Sequence, residues 1–534
     1  MVNQFCASSS FRVSAPVRRA QAAPEPDSVD PARIVDAAQL RAWQSMEDTF
    51  KSEDIPGLKP TGSPAQRAYT RWLGERLEEL GAEVSFEPYT FEKWTPTRWS
   101  LTTADGEVPL ANYIPWSGQT GPEGIEADLV HARANLSELA SWVENFDFSQ
   151  LATSEGIRGA INALSQKLSD AFDPDQVQGK TVVVDLPRLG LPYSLMSALT
   201  YYTNDSDNSA FGPGSTTGKD GSLVNMVLIP AVQKTLAALG ARAMVGVLDL
   251  PEPLARGAYY PFFGYQAANL PGVFLDREQG RKLEAAIAAK DGRLPATLTM
   301  QASMGPASDD NLVAVVDAPG KPEIVVSSHT DGTNSLEDNG PVAMLAMAKY
   351  FAEMPEEARP AKMRFVFTGG HFVGSAGIRD YLKNHADDLS GVRAILEVEH
   401  LGAREWGELA SGEVGLTGRP EPQILLTNLD RVPIAGSDSA SAAQLRQRAT
   451  EYAEKFTRSL VLGPFPVGEG LWWHYPPMAG VLKTPLPSIQ LISNPSYLLS
   501  SGKPVTEEFT DYDLMRRQTI ALTQMAVDLA KPSS

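Results

Sequence analysis

The residues best able to do chemistry in this 534-residue chain crowd into one stretch, Glu323 to Gly402. His329 and Asp331 follow directly on an apolar run, Glu323 to Ser328, and Asp338 stands just before Gly340 and a helical pattern. His371 follows the run Arg364 to Phe367 through a Gly369-Gly370 turn, and Glu399-His400 closes the run Val392 to Val398. Short apolar runs bounded by turn signals read as buried strands. Imidazoles and carboxylates converging at the ends of neighbouring strands could hold a divalent metal of the zinc type. Cysteine cannot contribute, since Cys6 is the only one, so an internal disulfide and a thiolate zinc knuckle are both excluded.

The elements around these residues alternate. The spacing predicts a helix over Gly340 to Met354 with Pro341 in its first turn, another over Ala376 to Leu389, and a closing helix over Asp511 to Leu529. A late strand is expected at Leu486 to Ser493. Strand and helix in alternation imply an α/β fold: a mostly parallel sheet flanked by helices, with ligands beyond the carboxyl ends of its strands. Upstream, helices are expected from Ala32 to about Lys51 and from Ala65 to Leu80, the second capped by the turn-rich Lys59 to Pro64. Val84 to Phe91 alternates like a strand.

From about Thr103 the texture changes. Gly, Pro and Asn punctuate short strand candidates such as Lys180 to Asp185 and Ala243 to Leu248, with helical spacing over Leu136 to Phe172 and a polar, loop-like stretch from Tyr202 to Lys219. This region reads as an inserted, β-rich domain. The expected organisation is a disordered tail over 1–28, the first part of the main domain over 29–104, the insertion over 105–304 and the rest of the main domain over 305–534.

Composition narrows the partners. A hydrophobic content of 43% and a charged content of 21% are ordinary for a globular protein. The net charge of -19 argues against nucleic acid or an anionic membrane surface as the main partner. No apolar run reaches the roughly 18 residues of a spanning helix. The basic segment before Ala23 ends in a signal-peptidase-like Ala20-Gln21-Ala22 but lacks the apolar run that a secretory signal needs, which favours a cytoplasmic location.

His329-Thr330-Asp331 and then Glu337-Asp338-Asn339-Gly340 resemble the paired signature of the M28 peptidases, which are co-catalytic zinc aminopeptidases. Thr368 to Gly374 falls where that family carries a Glu-Glu pair followed by glycines, and Val398 to Gly402 is similar to its later acidic strand end. Pro60 to Ser63, Ile114 to Gly118 and Gly179 to Thr181 resemble the family's N-terminal segment and its inserted protease-associated (PA) domain. The resemblance implies a zinc-exopeptidase-like fold with His329 and Asp338 as metal ligands, Glu399 in place of the usual Asp, and Asp331 orienting the His329 ring.

The departures are specific. The Glu-Glu pair reads His371-Phe372 here, and no histidine occurs at Tyr497 to Ser500, where the family's last ligand is expected. One of two metals is therefore expected to be lost. The remaining set, His329, Asp338 and Glu399 around one divalent metal of the zinc type, suits an open catalytic site, with His371 as the catalytic base. Glu337, Glu469, Trp473 and His474 are candidate substrate contacts, although a loop packed over the sheet by its tryptophans explains the last three as well. Core packing explains His400, and His131 and His385 have no role assigned. The implied activity is hydrolysis of a peptide or small amide by an activated water. The alternatives are an inactive homologue that binds a peptide or small ligand, and metal-independent acyl transfer or cyclisation.

Overall fold

The computed structural model describes residues 28–50, 57–132, 154–188, 191–193, 200–212, 214–217, 222–260, 266–389, 391–428, 439–463, 487–501 and 508–531. Among the described residues two helices, α1 (Ala37–Glu47) and α2 (Pro64–Glu79), come first after a short 3-10 turn, Pro31–Arg33. Each is started by a side chain: Asp36 accepts from the Gln39 amide and Ser63 from the Gln66 amide. Strand β1 (Glu83–Thr103) follows. The next segment holds β2 (Asn112–Tyr113), β3 (Ile125–His131), α3 (Ser154–Leu168), β4 (Thr181–Leu186), β5 (Thr200–Asn204), α4 (Ser222–Ala238), β6 (Ala243–Leu248), β7 (Gly272–Leu275) and α5 (Arg277–Ala288). Strand β8 (Leu294–Val316) returns along β1.

The last part alternates β9 (Glu323–His329), α6 (Gly340–Ala352), β10 (Lys362–Thr368), α7 (Ala376–Asn384) and β11 (Val392–Val398). It closes with β12 (Gln423–Asn428), α8 (Ser439–Ala453), β13 (Ser459–Leu462), β14 (Ser488–Ser493) and α9 (Tyr512–Ala530). The main sheet runs β2-β7-β6-β4-β3-β8-β10-β9-β11-β14-β12-β13-β5, with β1 paired along β8. Strand β9 is parallel to both β10 and β11, and β11 to β14. Strands β3, β4, β6 and β7 are likewise parallel in sequence of pairing. The expected α/β class with a mostly parallel, helix-flanked sheet is what the structure has.

Strand β8 joins the two parallel groups. Its first residues pair with β3 and its last with β10, while the whole strand pairs with β1 from Glu83 opposite Val315 to Thr103 opposite Ala296. The segment between β1 and β8 combines the short strands anticipated from its Gly and Pro punctuation with three longer helices, α3, α4 and α5, and with single helical turns at Pro174–Val177 and Glu252–Ala255. Of these, only α3 was announced by spacing. The polar stretch from Tyr202 begins inside β5, which pairs with β13.

Period-two alternation in β9 and β10 puts apolar side chains on both faces. Ile324, Val326, Met363, Phe365 and Phe367 pack under α2, α6 and α9, while Val325 and Val366 pack against Ile378, Tyr381 and Leu382 of α7. Burying each such side chain is worth about 1.5–3 kcal/mol relative to exposure, which fixes the strand ends against helices on either side. The site residues inherit that rigidity. No described helix is long and apolar enough to cross a membrane.

Candidate metal centre

His329 is the last residue of β9 and is fully buried. Its Nδ1 lies 2.6 Å from the main-chain carbonyl of Asp331, so Nδ1–H donates there and Nε2 is left to accept. That Nε2 stands 3.3 Å from Glu337 Oε1. The loop carrying Glu337 is held from both sides. Asn334 Oδ1 accepts from the amides of Leu336 and Glu337, and its Nδ2 donates to the carbonyls of Tyr497 and Leu498. Thr333 Oγ1 donates to the Leu498 carbonyl at 2.7 Å. The segment Tyr497 to Ser500, where the resemblance called for a histidine ligand, thus anchors the loop through its backbone.

His371 enters from the turn after β10. Gly370 takes φ +76°, and a Cβ on Gly369 would run into the Tyr89 hydroxyl and Gln66, so both glycines are needed to bring the turn in this close. The His371 ring stacks on His329 at 4.2 Å with an interplanar angle of 9°, and its Nε2 is 3.9 Å from Glu337 Oε1. His329, Glu337 and His371 offer ligand atoms that all lie within 4.8 Å of one another. Tetrahedral ligands about 2.1 Å from a zinc ion are about 3.4 Å apart, so small rotations close this trio around one ion. Phe372 stands edge-on to both imidazoles and packs in turn on Tyr259, an apolar wall beside the ligands.

The other expected site residues are nearby but differently engaged. Asp331 is buried; its carboxylate accepts from the Thr61 hydroxyl and from the His371 amide, and it is the Asp331 carbonyl that orients the His329 ring. Asp338 Oδ2 lies 3.1 Å from the ammonium of Lys59, which is itself 2.9 Å from Glu47 Oε1. Glu399 ends up buried beside His400, at 3.4 Å, and His400 Nδ1 bonds the Ser493 carbonyl. Glu469, Trp473 and His474 lie outside the described residues. His131 meets Asp185 and Glu284, and His385 meets Glu87 and Asp388, both away from the cluster.

Electrostatics favour a cation here. Burial pushes the Glu337 carboxyl well above its ordinary range, and the charges of Asp338 and Glu399 add to the push. Burial, with a contribution from the Asp309 charge, raises Asp331 to about 7 against the pull of Thr61, and burial raises Glu399 to about 8. His329 is held neutral by burial and by His371 beside it. A neutral His329 imidazole beside an excess of buried carboxyl groups is a donor set suited to a divalent ion.

The Lys59 to Pro64 turn, expected only to cap α2, does more than that. Lys59 and Thr61 both reach the site from it, and Glu47 reaches Lys59 from the end of α1. The Asn339-Gly340 pair also has a structural meaning. The Asn339 side chain exchanges two hydrogen bonds with the Leu401 backbone, and a Cβ on Gly340 would strike the Val398 carbonyl and Ser328.

This architecture is the fold of the M28-type zinc aminopeptidases. Among solved structures, the zinc aminopeptidase of Bacillus subtilis superposes with a TM-score of 0.56 at 14% identity, covering 92% of this chain and 94% of that one. A peptidase M28 precursor from Shewanella amazonensis gives 0.56 at 15% identity, covering 94% and 98%. An Aneurinibacillus aminopeptidase gives 0.52 at 14%, covering 94% and 95%. No family model and no curated protein matches the sequence.

Proposed function

We propose that the chain is a peptide hydrolase of the aminopeptidase type that uses a single divalent metal, held by His329 Nε2, Glu337 Oε1 and His371 Nε2. The convergence of these three ligand atoms within 4.8 Å carries the reading. In this reading His371 is a ligand rather than the catalytic base, and Glu337 a ligand rather than a substrate contact. Asp338 and Glu399, the two carboxylates of the expected set, are buried and engaged elsewhere, Asp338 with Lys59 and Glu399 beside His400. Two imidazoles and one carboxylate with an open fourth position are a common catalytic zinc set. A bound ion supplies Lewis acidity to a substrate carbonyl and lowers the pKa of water.

The chain's own residues do the rest. The Asp331 carbonyl fixes the His329 tautomer, so that the lone pair on Nε2 faces Glu337. The Asp331 carboxylate ties the His371 turn to Thr61, which keeps the second imidazole in register. Phe372 and Tyr259 keep one side of the cluster apolar, which strengthens every charge interaction inside it.

The test is metal analysis of protein purified without added zinc, together with hydrolysis of an aminoacyl p-nitroanilide. About one equivalent of metal per chain is expected. His371→Ala and Glu337→Gln should each lose it, and chelation should abolish a hydrolysis that zinc restores. A wild-type chain that holds no metal and does not respond to zinc would overturn the reading. Bound metal without hydrolysis would point to the alternative of a ligand-binding homologue.

A further inference from the structure

Lys59 is buried to 0% exposure inside the candidate centre, where a lysine is found only with strong compensation. Its ammonium is ringed by oxygen: Glu47 Oε1 at 2.9 Å, Asp338 Oδ2 at 3.1 Å and the Gly57 carbonyl at 3.1 Å. The Tyr69 ring lies beneath it, 5.1 Å from the ammonium to the ring centroid. Three oxygens match the ammonium's three N–H donors in number, and two of them belong to carboxylates, the groups that would also take a metal cation.

That arrangement is built from several directions. The Lys59 backbone exchanges two hydrogen bonds with Gly332, each 3.0 Å, which fixes the lysine against the loop that follows β9. Gly332 is required for the approach, since a Cβ there would come within 2.7 Å of Asp338 Oδ2. Glu47 is held in turn by Gln44, whose Nε2 also donates to the Ser335 carbonyl. Burial opposes the charge on Lys59, but Asp338 and Glu47 outweigh it, and the ammonium stays protonated well above neutral pH.

Asp338 directly follows Glu337, so this ammonium sits beside the His329–Glu337–His371 trio. We propose that Lys59 is a covalently attached cation that occupies a second cation position, between Glu47 and Asp338, and so limits the centre to one exchangeable metal ion. A second divalent ion does not fit while the ammonium is 3.1 Å from the carboxylate that would hold it, because like charges at that spacing repel strongly in a buried site. The single-ion stoichiometry rests on the functional reading above; the role of Lys59 does not.

The experiment is Lys59→Met, close in volume and uncharged, titrated with manganese(II), which suits an all-oxygen donor set. Bound manganese is counted by electron paramagnetic resonance, and melting temperature is followed with and without the ion. The variant should bind one more manganese equivalent than wild type and should be stabilised by it, while Lys59→Arg keeps the wild-type count.

The same gain is expected in Lys59→Met combined with His371→Ala, measured against His371→Ala alone. This separates the two hypotheses: loss of metal from the His371 site leaves the Lys59 result standing, and the reverse. Equal manganese counts with and without Lys59, or a Lys59→Met melting temperature indifferent to the ion, would overturn the proposal. Should Lys59→Met not accumulate folded, Lys59→Met with Asp338→Asn is expected to fold without added ion, and refolding of the single variant should require manganese. Failure of both would assign Lys59 a packing role and overturn the proposal as well.

Discussion

The smallest decisions in this protein are made by side chains that orient other side chains. Thr61 is such a residue: its hydroxyl donates to Asp331, whose carboxylate also holds the His371 amide and whose carbonyl holds the His329 ring. Thr61→Val keeps the shape and removes the donor. It is expected to cost about 1–3 kcal/mol in urea unfolding, because a buried acceptor is left unsatisfied. It should also weaken metal affinity about 10-fold in a chelator competition, since groups that position ligands carry effects of that size. Lys59 sets the second residue-scale expectation. Removing one partner of a buried charge group costs about 3–5 kcal/mol. Lys59→Met without metal should therefore unfold at clearly lower urea than wild type. His329 and His371 were legible as candidate residues from their places just after strands, whereas Glu337, in a loop, was expected only as a substrate contact. Their partnerships were not legible, because a hydrogen bond to a main-chain carbonyl leaves no trace in residue type.

At the scale of elements, the loops after β9, β10 and β11 must interlock for the site to exist. Asn339 does this between the start of α6 and the end of β11, through bonds of 2.8 and 2.9 Å to the Leu401 backbone. Asn339→Ala strands a buried amide and carbonyl and is expected to cost about 3 kcal/mol, read as a lower urea midpoint with unchanged m-value. Gly340→Ala should cost about 1–3 kcal/mol by overpacking against Val398 and Ser328, read in the same way. Elements with a strong period were readable in advance: the helices at Ala65 to Leu80, Gly340 to Met354 and Asp511 to Leu529 appear as Pro64–Glu79, Gly340–Ala352 and Tyr512–Ala530. The strand expected at Val84 to Phe91 runs on to Thr103 instead. Glu92, Lys93 and Pro96 interrupt its alternation, and what carries it past them is the pairing with β8.

For the whole molecule, one sheet joins two parallel groups of strands through the β1–β8 ribbon, and the candidate centre lies where the ends of β9, β10 and β11 meet α1 and the Lys59 turn. An ion bound only by the folded chain stabilises it by mass action. Zinc at about 100 times its dissociation constant is expected to add about 2.7 kcal/mol, seen as a higher melting temperature that chelator reverses and His371→Ala lacks. The net charge of -19 acts at this scale too, drawing cations toward a buried acidic cluster.

The sequence by itself determined the class of fold and the neighbourhood of the candidate site. Alternation, helical spacing and turn residues are local, and apolar runs ending in His and Asp mark strand ends whichever partner they later find. Tertiary structure decided which of those residues meet. It gathered His329, Glu337 and His371, engaged Asp338 with Lys59, and closed the Lys59 pair with Glu47 from a separate helix. Contacts of that kind depend on the paths of three loops packed against one sheet edge. An ion pair between distant segments has no period, and only the folded chain brings its two charges together.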